Sequence, residues 1–404
     1  MKFGGTSVSD VNRIKTVAET IRSEIEPGRK LIVVVSAMSD QTNKLIKLIK
    51  DIGIEGIIDP EYDSLVSTGE DVSSSLLTLA LKNIGVSARS WRGWQVPIYT
   101  DSFFSNAKIR TVETKNIIES FKSNIDVAVI SGFQGIDNNG RITTLGRGGS
   151  DTSAVAIAAS IGSERCDIYT DVSGIYTTDP RIKLKAAKLK TISFEEMLEM
   201  ASLGANVLQT RAVELAMRSK TPIRVLNSFS DEEGTIVCDE ENIMEKNVVS
   251  GIAFQRNEAR ITLSNIEDKP GVAAKIFGPL AEAGVNVDMI VQSSTETGTT
   301  DLTFSCPADE VERAKEAIAT AKKAKNLSYK HLIENKEVAK VSIVGIGMKT
   351  HAGIAQKMFE TLSEENINIH VISTSEIKVS VLIERKYLEL AVRSLHDTFE
   401  LEKL

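Results

Sequence analysis

A repeat in the second half of the chain limits its possible folds more than any other feature. Residues 271–294, GVAAKIFGPLAEAGVNVDMIVQSS, align without gaps on 353–376, GIAQKMFETLSEENINIHVISTSE, at a constant offset of 82. Nine of the 24 pairs are identical, among them Gly271/Gly353, Phe277/Phe359, Leu280/Leu362 and Asn286/Asn368, and Val/Ile exchanges at 272, 285 and 287 keep the same apolar positions. Duplication of one supersecondary unit is the economical source of such a match. The first copy reads strand, helix, strand, strand, helix in ARITLSNIE, VAAKIFGPLAEAG, VNVDMIVQ, TTDLTFSC and EVERAKEAIATAK. That is the order of a ferredoxin-like βαββαβ unit. Its fourth strand falls near LSYKHL (327–332), whereas the second copy has only LEKL after its last helix and lacks one strand. The segment VVSGIAF (248–254) ahead of the first copy is able to supply it. The expected modules are residues 255–335 and residues 248–254 plus 336–404, with the first inserted in the second.

The preceding residues have a different texture. LIVVVS (31–36), DVAVIS (126–131), CDIYT (166–170) and PIRVLN (222–227) read as buried strands. DTSAVAIAASIG (151–162) and FEEMLEMASLG (194–204) read as helices, the second closed by Gly204. Buried β-branched runs separated by helices predict a three-layer α/β domain with a largely parallel sheet over residues 1–230. An acidic, polar stretch then marks a linker over 231–247. Ligands of such sheets bind beyond the carboxyl ends of the strands. Polar clusters fall there: FGGTS (3–7), SAMSDQTN (36–43), SGFQG (131–135) and TDVSGIYTTDPR (170–181).

Composition narrows the function. A length of 404 residues implies two or three domains, and the net charge of −7 argues against a nucleic-acid binder relying on an overall basic field. No apolar run approaches the roughly 18 to 20 residues that cross a bilayer, and MKFGGTS lacks the apolar core of a signal peptide. Cys166, Cys238 and Cys306 form no CxxC pair, so neither a zinc site nor a disulfide framework is expected. A cytoplasmic protein without nucleic-acid or membrane partners is the expectation.

The chemistry concentrates in TTLGRGGSDTSA (143–154), where bare backbone, Arg147 and Asp151 precede a helix opening near Ser150. Glycines let a ligand approach the main chain, and a helix N-terminus suits phosphate. There is no GxxxxGK[ST], and Asp151 stands where GxGxxG needs its last glycine. All four histidines (His331, His351, His370, His396) lie in the C-terminal half. The first domain therefore works with Lys, Arg, carboxylates and backbone donors, the inventory of phosphoryl transfer by electrostatic positioning. A carboxylate nucleophile, with an ordinary pKa of about 4, needs no base.

KFGGTSV, TTLGRGGSDTSA and YTDVSGIYTTDPR together resemble the aspartate kinases of the amino-acid kinase family, and the repeat resembles their paired ACT regulatory modules. The resemblance runs in order over essentially the whole chain. It implies transfer of a phosphoryl group from ATP, with Mg2+, to L-aspartate, giving 4-phospho-L-aspartate on the route to lysine, threonine and methionine. It also implies Lys2 and Asp151 as catalytic residues, Lys2 offsetting charge on the phosphoryl group and Asp151 positioning that lysine. Phe3, Gly4, Gly5, Ser36, Thr170, Asp171, Tyr176 and Arg181 match the ATP subsite. Thr42, Glu70, Arg147, Gly148, Gly149 and Ser150 match the aspartate subsite, with Glu70 facing the α-ammonium.

For effectors, lysine and threonine by resemblance, the repeat offers matching positions. Asp268 and Ala273 precede and open one helix, and Ile354 and Ala355 open its counterpart. Asn286, Asp288 and Gln292 answer Asn368 and Ile369, followed by Ser375 and Glu376. Helix N-termini suit an α-carboxylate, and Asp288 or Glu376 an ammonium.

Two departures stand out. Relatives carry several apolar residues before the motif lysine, so either the first central strand is short or more chain precedes Met1. Relatives also have a lysine in GAKVL, where this chain has Asn206 in GANVLQT. Met244 sits where some relatives begin a separate regulatory subunit, so a homodimer and an α2β2 assembly both remain open. Two rival readings also remain: a kinase of another amino-acid carboxylate, and a catalytically weak amino-acid-binding regulator.

Overall fold

The computed structural model describes the chain except for Glu55, Ile57, Ala205, Asn206 and residues 244–247, 295–297 and 325–326. Asn206 and Met244 thus lie outside the described residues. Met1–Ile175, Lys188–Ala201 and Asn206–Glu245 form one unit, and Tyr176–Ala187, Ser202–Ala205 and Lys246–Leu404 the other.

The first unit begins with β1 (Lys2–Phe3), α1 (Val11–Ser23), β2 (Leu31–Val35), α2 (Gln41–Asp51), α3 (Pro60–Val66) and α4 (Thr68–Asn83). Next come β3 (Ala88–Trp91), β4 (Ile98–Thr100), β5 (Ile109–Val112), α5 (Lys115–Lys122), β6 (Val127–Ser131), β7 (Gln134–Ile136) and β8 (Ile142–Thr144). It ends with α6 (Gly149–Ile161), β9 (Cys166–Thr170), β10 (Thr191–Ser193), α7 (Phe194–Ser202), α8 (Thr210–Ser219), β11 (Ile223–Asn227) and β12 (Thr235–Cys238). The four runs read as buried strands are β2, β6, β9 and β11.

Eight strands form the main sheet in the order β10-β12-β11-β9-β1-β2-β6-β3, parallel throughout except for β11 with β12. Strands β5-β4-β7-β8 form a smaller sheet. Side chains alternate across a strand. Phe3, Val33 and Val35 accordingly meet Ile14, Ile21, Leu77 and Leu81 of α1 and α4 on one face. On the other face lies α6, whose residues from Gly149 to Ala158 are all buried. Its first turn is polar and faces the site, whereas from Ala154 onward it reads AVAIAA, small apolar side chains that let it lie close to the sheet.

The second unit carries β13 (Gly251–Glu267), α9 (Val272–Glu282), β14 (Ile290–Ser294), β15 (Thr299–Cys306) and α10 (Val311–Lys323). It continues with β16 (His331–Val344), α11 (Ile354–Glu364), β17 (Ile369–Thr374), β18 (Lys378–Glu384) and α12 (Leu388–Thr398). All six strands share one antiparallel sheet, β14-β15-β13-β16-β18-β17. The long strands β13 and β16 pair from Gly251↔Val344 to Ser264↔His331, with register shifts around Glu258. The late part of β13 lies between β15 and the start of β16, beside α9 and α10. Its early part completes the other βαββαβ set with β17, β18, α11 and α12.

One expected strand begins later than its sequence suggests. VNVDMIVQ opens as irregular chain and becomes a strand only at Ile290. There the amide of Asn286 is taken by the Glu310 carboxylate at 3.0 Å, and the Asp288 carboxylate is drawn to Lys340. The Met289 amide goes to the Ser305 hydroxyl at 3.2 Å, so side chains take two amides, those of Asn286 and Met289, that a regular ladder would have used. Among the described residues, no helix is long and apolar enough to cross a membrane.

Phe304 is 1% exposed and meets Phe277 edge-on at 5.7 Å within the first module's core. Phe304→Ala should destabilise that module by about 3–5 kcal/mol, read as an earlier urea transition. A midpoint unchanged from wild type would show that this core does not limit stability.

Candidate active site

Strand β1 has two residues, and alternation settles where each points. Phe3 lies in the core and stacks on Tyr169 at 4.5 Å. Lys2 therefore faces the α6 side, where its Nζ is 2.5 Å from Oδ1 of Asp151, with side chains 10% and 9% exposed. In a low-dielectric setting such a pair holds its geometry firmly, because either charge left alone would be costly.

The start of α6 is shaped by glycine. Gly148 caps it at φ 66°, and a Cβ there would lie 1.7 Å from Cγ of Gln209. No side chain caps this end, so the helix dipole and first amides are not answered by a protein oxygen from a capping side chain. The SGFQG run presses on the same point: a Cβ on Gly132 would come within 2.8 Å of Ser150 Cβ and Oγ. Gly4 lies beside the lysine, where a Cβ would be 3.4 Å from Lys2 Nζ, and a Cβ on Gly5 would press to 3.1 Å on the Ala37 carbonyl oxygen. Arg147 is exposed beside these glycines.

Glu70, in the first turn of α4, is 4% exposed. Its Oε1 accepts the Ala37 amide at 3.0 Å, and its buried Oε2 has no hydrogen-bond partner among the described residues. Burial pushes the carboxyl up to about 8, against the lowering effect of that amide. Ser36 donates its amide to the Phe3 carbonyl at 3.1 Å, and its own carbonyl accepts from Ser73 Oγ at 2.7 Å. Thr170 and Asp171 leave β9, the neighbour of β1, with the Thr170 hydroxyl on Asp171 at 3.2 Å. Strand ends and glycines thus gather Lys2, Gly4, Gly5, Ser36, Glu70, Gly148, Gly149, Ser150 and Asp151 at the carboxyl end of the sheet. Thr42 occupies the first turn of α2 and is half-buried.

Tyr176 and Arg181 fall in the second unit. The Arg181 side chain is 91% exposed and is held by the Asp179 carboxylate at 2.8 Å.

Sequence reading missed two carboxylates that support the site. Asp71 Oδ1 accepts from Ser131 Oγ and Gln134 Nε2, each at 3.0 Å, and pairs with Arg92 Nε at 3.1 Å. Buried Asp63 accepts the amides of Ser105 at 2.9 Å and of Thr144 at 2.6 Å, just ahead of the LGRGG loop. Adjacency to Glu70 was a signal for Asp71. Asp63 carried none, because its partners lie about 40 and 80 residues away and only tertiary structure meets them.

In the second unit, Ile354, Ala355, Ser375 and Glu376 line one cavity of about 520 Å³ with His351 and Thr374. Asn368 precedes β17 and Ile369 opens it. In the first module Asp268 and Gln292 are exposed, and Ala273 lies in the first turn of α9. Asp288 is already engaged by Lys340, whose side chain is 4% exposed and which also lies 3.3 Å from Glu258.

A buried lysine–aspartate pair at a glycine-walled helix start, on a parallel sheet followed by a duplicated small module, defines a phosphoryl-transfer enzyme with paired sensor modules. Comparison with known proteins agrees. The amino acid kinase family matches residues 1–227, and ACT domains match 261–323 and 341–399. An aspartate kinase of Stutzerimonas stutzeri is 52% identical over 402 residues, covering 99% of this chain and 97% of that one. The crystal structure of E. coli aspartokinase III with aspartate and ADP superposes with a TM-score of 0.79 at 27% identity, covering 98% of each chain. The same enzyme with lysine and aspartate gives 0.78 at 26%, again covering 98% of each. The chain belongs to the amino acid kinase family, and within it to the aspartokinases.

Glu70 gives a pH test. Its folded value is raised from 4.5 to about 8, so its contribution to stability is complete below about 4.5 and is lost as pH rises through about 8. Glu70→Gln has no such loss. The melting temperature of Glu70→Gln relative to wild type should climb between those pH values and level off above them. A constant difference across the window would show that burial does not raise the Glu70 carboxyl.

Proposed function

We propose that this chain transfers the γ-phosphoryl group of ATP to the β-carboxylate of L-aspartate, giving 4-phospho-L-aspartate and ADP. The observation that carries this reading is the buried Lys2–Asp151 pair at the glycine-walled start of α6. A substrate carboxylate oxygen forms the new bond to phosphorus as the bond to the β-phosphate oxygen breaks. The carboxylate is already ionised, so no proton needs to be removed, in keeping with a first domain that has no histidine. Catalysis then rests on positioning and charge. Lys2 offsets the negative charge of the phosphoryl oxygens while Asp151 keeps its ammonium aimed. The Gly4 amide already donates to the Tyr169 carbonyl at 3.3 Å, so the bare backbone at Gly5 and the uncapped start of α6 are what this reading turns to phosphate, and the exposed Arg147 suits bidentate grip of a substrate carboxylate. Glu70 takes the substrate ammonium, whose charge favours the ionised carboxylate that burial alone disfavours.

Phe3, Ser36, Thr170, Asp171, Tyr176 and Arg181 complete the nucleotide side of this reading, and Thr42, Gly148, Gly149 and Ser150 the aspartate side. Mg2+ enters with the nucleotide, held largely by its phosphates as is usual for this ion. Among the described residues, no group of three or more His, Cys, Asp or Glu side chains offers a ready-made metal cage.

Residues 1–230 serve as the catalytic domain in this reading, and the modules 255–335 and 248–254 plus 336–404 as amino-acid sensors. Lysine is the first effector to try, since a relative of this fold was crystallised with it, with threonine beside it. The Glu376 cavity suits an ammonium-bearing ligand. Assembly of the chain as a homodimer or an α2β2 complex belongs to the same reading.

Release of ADP should occur with L-aspartate and not with L-glutamate. Lys2→Met and Asp151→Asn should each lower kcat by about 10²–10³, the range for loss of one preorganised charge-stabilising group. Retention of more than about a tenth of the rate, under about 1.4 kcal/mol of barrier, removes that residue from catalysis.

Lysine or threonine should inhibit with a coupling of about 1–3 kcal/mol, and Glu376→Ala should blunt the response without lowering uninhibited kcat. If neither amino acid alters activity or melting temperature, the sensor assignment is wrong.

A further inference from the structure

The segment Tyr176–Ala187 belongs to the second unit, and the side chains that hold it there are specific. The Thr177 carbonyl accepts the Ile252 amide at 2.7 Å. Ile182 packs on the core formed by α11, α12 and their strands. Lys183 pairs with Asp397 of α12, and Lys185 lies 3.1 Å from Glu402. At the centre, the Thr177 hydroxyl lies 2.9 Å from Nε2 of His396, a fully buried residue of α12.

The network indicates how the proton is shared. Thr177 Oγ1 already accepts the Ala187 amide at 3.0 Å, which leaves its own hydrogen for Nε2. His396 is then assigned as the neutral tautomer with hydrogen on Nδ1. Burial, with Lys183 beside it, holds the imidazole below its ordinary pKa and keeps it neutral; Asp397 and Glu402 act in the opposite sense. That Nδ1 is buried without a hydrogen-bond partner among the described residues, as is Thr178 Oγ1. Unpaired buried polar atoms are uncommon and call for a reason. A leucine would fill the space beneath α12 without leaving an orphan nitrogen. What it would not do is hold Thr177.

We propose that His396 is a positioning residue for the nucleotide: through Thr177 it sets the backbone from which Tyr176 and Arg181 project. This rests on the reading of Tyr176 and Arg181 as nucleotide contacts. Thr177 directly follows Tyr176 and is bonded at its carbonyl, its hydroxyl and, through the Ala187 carbonyl at 2.9 Å, its amide. Three of its bonding groups are fixed within the second unit. The helix that supplies His396 is the last of the second sensor module, so this module has a direct hold on a loop of the nucleotide side.

The test compares steady-state kinetics of full-length His396→Leu, His396→Gln, Thr177→Val, Thr177→Ser and Tyr176→Ala. His396→Leu and Thr177→Val should each raise the KM for ATP about three- to tenfold, the range expected for one lost hydrogen bond. The KM for aspartate and kcat should stay within twofold. His396→Gln, which keeps a polar group near the Nε2 position, and Thr177→Ser should restore the ATP KM. Thr177→Val keeps the side-chain shape and decides the matter should His396→Leu fail to fold. An ATP KM within twofold of wild type in Thr177→Val, or equal rises for both substrates without rescue by Thr177→Ser, would overturn the proposal. Tyr176→Ala judges the underlying reading separately. If it raises the ATP KM while Thr177→Val does not, only the role of His396 falls; if it leaves the ATP KM unchanged, the nucleotide assignment of Tyr176 falls and the proposal with it.

Discussion

The first unit is organised around one ion pair. Lys2 stands on the central strand of an eight-stranded sheet, between β2 and β9, and meets Asp151 at 2.5 Å where α6 begins. Taking both charges out of water is costly, and only close contact in a fixed geometry offsets that cost. Everything around the pair serves that closeness. Phe3 locks the strand face by stacking on Tyr169, the glycines let backbone approach the ammonium, and α6 is buried along its first ten residues.

The second unit depends on a different constraint. Neither βαββαβ set is complete without a part of the long strands β13 and β16, which cross from one set to the other. The register shifts near Glu258, and there Lys340 joins Glu258 and Asp288 in a mostly buried cluster. Two carboxylates share one lysine, and burial raises the Glu258 carboxyl above its ordinary value despite the lysine. The cluster ties a strand shared by both sets to the approach to β14. The two sets therefore share hydrogen bonds and charge, and a displacement in one strand is felt by both.

Regulation and chemistry meet in sequence at Ile175 and Tyr176, where the chain passes from one unit to the other. A dozen residues within the first 230 are built into the second unit's core through Ile182 and into its last helix through Thr177. Sensor modules attached by a plain linker would need some other means to act on catalysis. Here residues 176–187, which begin within the run YTDVSGIYTTDPR, themselves belong to the second unit.

Much of this was legible in the linear chain. The repeat at offset 82 and the missing fourth strand predict the interleaved modules, because a βαββαβ set cannot close its sheet without that strand. Runs such as LIVVVS and CDIYT predict the parallel sheet, because β-branched residues without alternation must be buried on both faces. Glycine, arginine and aspartate crowded into TTLGRGGSDTSA point to a candidate site, because bare backbone and charge in one short turn suit ligands. These signals are local, and local signals survive in one dimension. Tertiary structure alone decided that Asp63 and Asp71 brace the site, that Asp288 is held by Lys340, and that Thr177 meets His396 across 219 residues of chain. Hydrogen bonds and ion pairs between distant segments leave no periodicity or motif. They depend on which faces the packed core brings together, and the core is a property of the whole chain.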